Sequence, residues 1–283
     1  MRTTERVGTV SVLIRPTHGW AFPDFVELWR ARELVYFLVW RDVRARYKQA
    51  LLGIAWVVLR PIAMVVVFSL FFGRLLNVPS GDIPYPVFAF AGLLPWSYFS
   101  ASLSRVAGSL VVNQNLLKKV YVPRLAIPIG SILSGLIDTG ISFVVLIGVM
   151  LLYRIPLTPM ALMALPLLAL AAVTALGFGL WLGSLNVRYR DVGHLVPFLV
   201  QIWMYMTPVI YPSSLIPESL RFLLALNPMT LVVEGMRWAL LGQSPATVAE
   251  PWLLAISMGI VGLVLLTGLL FFNRVEKSFA DVV

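Results

Sequence analysis

Leu51-Leu-Gly53-Ile-Ala-Trp56-Val-Val-Leu-Arg60-Pro61-Ile-Ala-Met-Val-Val-Val-Phe68-Ser-Leu-Phe71-Phe72 decides the fold, because it is a long apolar stretch broken only by Arg60 and Ser69. About 20 such residues in a helix cross roughly 30 Å of hydrocarbon, so the stretch reads as a membrane-spanning helix. Similar stretches occupy 85–104, 124–153, 159–185, 194–211 and 252–272, which gives six predicted spans. Composition agrees. Of 283 residues, 59% are hydrophobic and 12% charged, and the mean hydropathy of +0.89 lies outside the range of soluble domains. The expected fold is an all-α integral membrane protein.

Six spans place both ends of the chain on one side. Of the 22 Lys and Arg residues, seventeen fall in the N-terminal arm, the 105–124 loop, the loop with Arg188 and Arg190, and the tail with Arg274 and Lys277. The alternate loops hold only Arg74, Arg154, Arg221 and Arg237, and Arg60 lies within a span. Basic residues concentrate on the cytoplasmic side, so both termini are expected there. The net charge of +9 would suggest nucleic acid in a soluble protein. Here it is read as topology, and no nucleic-acid partner is expected. The first 50 residues show no short apolar core with a small-residue cleavage site, so the first span is expected to direct insertion itself.

The chain divides into a cytoplasmic arm, 1–50, and a transmembrane domain, 51–283. Within the arm, Phe25, Trp29, Tyr36, Trp40, Val43 and Tyr47 recur at helical steps, while Glu27, Arg30, Arg41, Arg44 and Lys48 take another face. This pattern predicts an amphipathic helix along the membrane surface, with its aromatics at headgroup depth. The 105–124 loop holds Asn113-Gln114-Asn115-Leu-Leu-Lys118-Lys119, long enough for a short helix that ends before Pro123. On the outer side, 212–250 contains two apolar pieces, 218–226 and 228–241, separated by Asn227-Pro228, a helix cap followed by proline at the first helical position. Neither piece crosses the bilayer comfortably. The expectation is a re-entrant helical hairpin before the last span, the alternative being a surface helix.

Signatures of catalysis are missing. No G-x-x-x-x-G-K-[ST] phosphate loop occurs, so this chain is not expected to hydrolyse ATP by that route. With no cysteine, and only His18 and His194, it offers no thiolate or histidine metal site. No catalytic residue and no bound metal are expected. Gly177-Phe-Gly179-Leu-Trp-Leu-Gly183 lies inside a span and is read as a close helix contact. Two ionisable residues inside spans need an account. Arg60 either faces a watery path or snorkels to the headgroups. Asp138 is too short to snorkel and needs a partner, for which Arg60 is one possibility; substrate or proton handling is the other use of such a residue. Aromatic residues share faces with polar ones: Trp56 and Phe71 with Arg60, and Phe198, Gln201, Tyr205 and Pro208 with each other. Such faces suit stacking and hydrogen bonding to sugars, or ordinary packing.

Several motifs, in order along nearly the whole chain, resemble one family. They are the approach Arg41-Asp-Val-Arg44-Ala-Arg46-Tyr-Lys48 leading to Gly53, Trp56 and Arg60-Pro61, then Gly92-Leu-Leu-Pro-Trp96-Ser-Tyr-Phe, Lys119-Val-Tyr-Val-Pro-Arg124, Asn186-Val-Arg188-Tyr-Arg190-Asp191, Thr207-Pro-Val-Ile-Tyr211-Pro and Leu226-Asn-Pro228. The sequence is similar to the membrane subunits of type-2 ABC exporters that carry lipid-linked polysaccharides such as O-antigen and teichoic acid. The resemblance implies a homodimer in the bacterial inner membrane with a channel between the copies. It implies two copies of a separate cytoplasmic ABC ATPase, which would bind ATP and Mg; this chain would bind no cofactor. The 113–121 loop would be the coupling helix, through Asn113, Gln114, Asn115, Lys118 and Lys119, with Arg188, Arg190 and Asp191 on the same side. Arg44, Arg46 and Lys48, with Arg60, are the candidates to receive the lipid pyrophosphate. Trp56, Arg60, Phe71, Phe198, Gln201, Tyr205 and Tyr211 are the candidates to line the channel. A drug or lipid exporter of the same architecture, and an intramembrane glycan-lipid enzyme working without ATP, remain the competing readings.

Overall fold

The computed structural model describes residues 25–48, 55–119, 122–243 and 250–276, and their regular structure is all helical. The expectations for His18, for 49–54 with Gly53, for Val120 and Tyr121 of the coupling loop, for 244–249 and for Lys277 lie outside the described residues.

Helices α1 (Phe25–Arg30) and α2 (Arg32–Lys48) form the arm. Helix α3 (Ala55–Phe68) passes into a π-helical stretch, Ser69–Leu75. Then come α4 (Tyr85–Val112), α5 (Gln114–Lys119) and α6 (Ala126–Leu152). A 3₁₀ turn, Pro159–Met163, leads into α7 (Ala164–Arg188), followed by α8 (Val192–Met206), α9 (Arg221–Leu226), α10 (Pro228–Leu241) and α11 (Pro251–Glu276). Five helical stretches among the described residues are long and apolar enough to cross a membrane: Ala55–Leu75, Tyr85–Val112, Ala126–Leu152, Pro159–Arg188 and Pro251–Val275.

The stretch expected as a fifth span, 194–211, differs. Its helix has 15 residues, about 22 Å at 1.5 Å per residue, which falls short of the hydrocarbon thickness. The chain turns extended at Thr207, the residue before Pro208, because a proline disfavours the helical region for its predecessor. It becomes buried there, at Thr207, Val209 and Ile210. The second span also differs from expectation: α4 runs on to Val112, so Arg105 lies in a helix and not in a loop.

Helix α4 is the core, with Phe88, Phe90, Phe99, Leu103 and Leu110 fully buried. Glycines let its neighbours approach. A Cβ at Gly183 of α7 would stand 3.2 Å from the Val106 carbonyl oxygen of α4. One at Gly268 of α11 would stand 2.6 Å from the Gly177 oxygen of α7. The glycine-rich stretch therefore serves close packing, as expected. At one end of the bundle, Leu28 of α1, Leu110 of α4, Leu117 of α5, Leu125, Val187 of α7, and Phe272 and Val275 of α11 share one apolar cluster. The first and last described helices thus reach the same end.

The arm was expected as one amphipathic helix over 25–47. It is two helices, interrupted at Ala31. Leu38 and Val43 of α2 are buried, while Trp29, Tyr36, Phe37 and Trp40 are exposed. Val43 and Tyr47, grouped with those aromatics in the sequence pattern, turn towards the protein instead.

Candidate functional site

The end of α2 together with α3, α4 and α6 encloses a lateral cavity of about 570 Å³. Its charged lining comes from four helices: Arg46 of α2, Arg60 of α3, Arg105 of α4 and Asp138 of α6. Ser134 and Asp138 lie four residues apart, hence on one face of α6. Arg46 bonds both of them, donating to the Asp138 carboxylate through Nη1 and to Ser134 Oγ through Nη2 at 2.7 Å. The Tyr47 hydroxyl donates to the other Asp138 oxygen. Burial, then the hydrogen bond to Asp138 and its negative charge, push the Tyr47 hydroxyl up to about 12, so it remains a proton donor at neutral pH.

This corrects the pairing of Asp138 with Arg60. Arg60 is exposed and makes no ion pair among the described residues, whereas α2 folds back along α6 and brings Arg46 to the carboxylate. An unpaired carboxylate at mid-span costs several kcal/mol, so the contact both satisfies Asp138 and fastens α2 to α6.

The three cations of the approach part company. Arg44 and Lys48 line a separate groove on the other side of α2 with Tyr36, Phe37 and Trp40, where the Arg44 guanidinium stands 6.0 Å from the centre of the Trp40 ring. Trp56 and Arg60 border the lateral cavity, but Phe71, Phe198, Gln201, Tyr205 and Tyr211 do not. Phe71 is exposed on the π-helical stretch, and Phe198, Gln201 and Tyr205 are exposed on α8. The Tyr211 hydroxyl donates to the Tyr205 carbonyl at 3.0 Å.

Asn113 closes α4, its amide donating to the Ser109 carbonyl at 2.8 Å. Helix α5 follows with Gln114 half-buried, and Asn115, Lys118 and Lys119 exposed. Beneath it, Leu116 and Leu117 pack with Leu38 of α2 and with Val122 and Ile127. Arg188, Arg190 and Asp191 are exposed just after Val187, which shares an apolar cluster with Leu117. The expected coupling residues therefore gather at one end of the bundle.

Two arginines lie where charge counting does not place them. Arg237, assigned by charge counting to an outer loop, is 3% exposed. It donates to the carbonyls of Phe88 (3.3 Å), Pro208 (2.7 Å) and Val209, with its guanidinium 3.7 Å from the Phe88 ring centre. Through Pro208 and Val209 it thus supplies donors to non-helical backbone just past the end of α8, and through Phe88 it ties that stretch to α4. Nearby, Asn227 accepts from the Met229 amide at 3.1 Å and from Trp203 Nε1 at 2.8 Å, and donates to Thr207 Oγ1 at 2.8 Å. The Tyr85 hydroxyl donates to the Ile210 carbonyl at 2.7 Å. The motifs around Thr207 and Asn227 are thus one hydrogen-bonded unit, capped as the Asn-Pro pair predicted. The signal in the sequence is a pair of charged residues three apart, Glu234 and Arg237, inside a largely apolar helix. The second is Arg105, carried into the cavity wall by the extra length of α4.

The family model described as ABC-2 type transporter matches residues 33–241, from α2 to the end of α10. The chain is 33% identical over 261 residues to the O-antigen export system permease protein RfbA of Myxococcus xanthus, covering 90% of this chain and 97% of that relative. It is 28% identical over 256 residues to an RfbA of Klebsiella pneumoniae, covering 88% and 95%. With the polysialic acid transport protein KpsM of Escherichia coli it shares 28% over 207 residues, covering 71% and 78%. The matched region contains the lateral cavity, α5 and the hydrogen-bonded unit around Thr207 and Asn227, and the chain belongs to the ABC-2 type transporter family as a membrane component.

Proposed function

We propose that this chain is the transmembrane subunit of an ATP-driven exporter that moves a lipid-linked polysaccharide, O-antigen-like in kind, from the cytoplasmic side across the bacterial inner membrane. The observation that carries it is the likeness to permeases named for O-antigen and polysialic acid export, extending over nearly the full length of the former. The chain is a transport subunit, and the family places ATP hydrolysis in a separate ABC ATPase. Two copies of that ATPase would hold the ATP and Mg.

The basic end of the bundle, with α5 and the turn at Arg188 to Asp191, is assigned to the cytoplasm. Force from the ATPase on α5 would pass through Leu116 and Leu117 to α2, and through Arg46 and Asp138 to α6. A homodimer with its channel between the copies is supported by the exposed apolar length of α3 and by the exposed Phe198 and Tyr205 of α8. The glycan would pass these aromatic faces. The hairpin of α9 and α10 suits a re-entrant outer closure, because Arg237 and Asn227 satisfy the backbone where the helices break. With Arg46 held by Asp138, Arg44, Lys48 and Arg60 remain free to meet the pyrophosphate as it arrives from the cytoplasmic side.

Co-purification with the ATPase, followed by glycan analysis of cells depleted of the chain, tests this reading. Loss of surface glycan with accumulation of its lipid-linked form is expected. Unchanged surface glycan overturns it, and turnover of a glycan lipid by the purified chain without ATPase would favour the enzyme reading.

A further inference from the structure

One end of the lateral cavity is walled by α4 and α6. Tyr98, Ser102 and Arg105 recur at steps of four and three, hence on one face of α4. That face meets α6 at Gly135, where a Cβ would stand 3.3 Å from Tyr98 Cε2 and 3.2 Å from Arg105 Cζ. The missing side chain is what admits the guanidinium. Tyr98 is 3% exposed, and its hydroxyl has no partner of hydrogen-bond geometry among the described residues, although Ser102 lies beside it. Arg105 Nε is buried in the same condition, while Nη2 donates to Ser102 Oγ at 3.2 Å.

Buried polar groups in native proteins are satisfied, and an exception calls for a reason such as a ligand. Charge points to the kind of ligand. Three arginines and one carboxylate line the cavity, and the carboxylate already holds Arg46 and Tyr47. Arg105 forms no ion pair among the described residues and stands on the α4 wall, with Arg60 on the α3 wall. Apolar Met64, Phe90 and Leu93 complete the walls. Such a site suits a compact anion carried on a hydrocarbon chain.

We propose that Arg105, helped by the Tyr98 hydroxyl, receives the diphosphate of the lipid-linked substrate at the end of this cavity walled by α4 and α6. The inference rests on the export reading and names a group for it beyond the cations that approach from α2 and α3. A guanidinium fork matches two phosphate oxygens, which an ammonium meets only as a point charge. The hydroxyl adds one donor, and a neutral polyprenol supplies no acceptor of comparable strength.

The test uses the permease–ATPase complex in phosphatidylcholine nanodiscs, titrated with radiolabelled farnesyl diphosphate, with farnesol and phosphatidylglycerol as competitors. Saturable binding that neither competitor displaces is expected, weakened about tenfold or more in Arg105→Gln and by less in Arg105→Lys and Tyr98→Phe. Unchanged affinity in a well-folded Arg105→Gln overturns the proposal. If that variant fails to fold, unchanged affinity in both other variants overturns it. Displacement by farnesol, or by phosphatidylglycerol at equal mole fraction, overturns the assignment to the substrate diphosphate. Cells separate this from the export reading: glycan lost without the chain yet exported normally by Arg105→Gln refutes only the role of Arg105. Glycan retained without the chain refutes export itself.

Discussion

Arg46 of the arm is paired with Asp138 of the third long helix, across 92 positions of sequence. The two side chains keep 30% and 27% of their surface exposed, so the pair is shielded without being sealed from water. It connects a helix outside the spans to one inside them.

A double-mutant cycle on Arg46→Ala and Asp138→Ala should give a coupling of about 1–3 kcal/mol. The same cycle on Arg60→Ala and Asp138→Ala should be additive within about 0.5 kcal/mol. Thermal unfolding in detergent, followed by size-exclusion fluorescence, reads both. Additivity in the first cycle would remove the latch between α2 and α6.

Tyr47 carries a pH statement. Its folded pKa of about 12 lies above the ordinary tyrosine value of 10.0, so its contribution is fully present below pH 10 and is lost as pH rises through the folded value. Tyr47→Phe should therefore lower the melting temperature by the same amount at pH 6 and pH 9. A difference that grows between those values would contradict the assignment.

Arg237 bonds three backbone carbonyls. Arg237→Leu takes this donor from the Pro208 and Val209 carbonyls, which lie outside any helix, at about 1–3 kcal/mol for each buried group, and should abolish the monodisperse peak. Arg237→Lys should rescue little, because an ammonium cannot reproduce the planar fork. A Leu variant that purifies like the parent would show that the break after α8 is held by other means.

Gly268 of α11 lies against Gly177 of α7, so Gly268→Val should separate the two helices and lower stability by about 1–3 kcal/mol. Gly259, where a Cβ meets nothing within 4 Å, is the control: Gly259→Ala should be neutral or slightly stabilising. Equal effects at the two positions would remove the packing role.

Apolar periodicity made most of the spans legible, and local chemistry made the Asn227-Pro228 cap and the packing glycines legible. What escaped was long-range. Arg46 was read as a substrate cation because nothing in the order of residues shows α2 folding back onto α6. Arg237 was counted as a loop charge because the carbonyls it serves come from Phe88, Pro208 and Val209, on two other segments. The fifth span was drawn through Pro208 because hydropathy registers burial, and the segment is buried without being helical. Arg105 was placed in a loop because hydropathy falls before the helix ends.

The central claim is ATP-driven export, and it is tested most directly by reconstitution. The purified chain and its ATPase are placed in proteoliposomes loaded with the lipid-linked glycan, and its appearance on the opposite leaflet is followed by a membrane-impermeant lectin. The account predicts transfer that requires ATP and both proteins, and that falls at least severalfold when Lys118→Glu and Lys119→Glu are combined in α5. Transfer that proceeds without ATP or without the ATPase would contradict it.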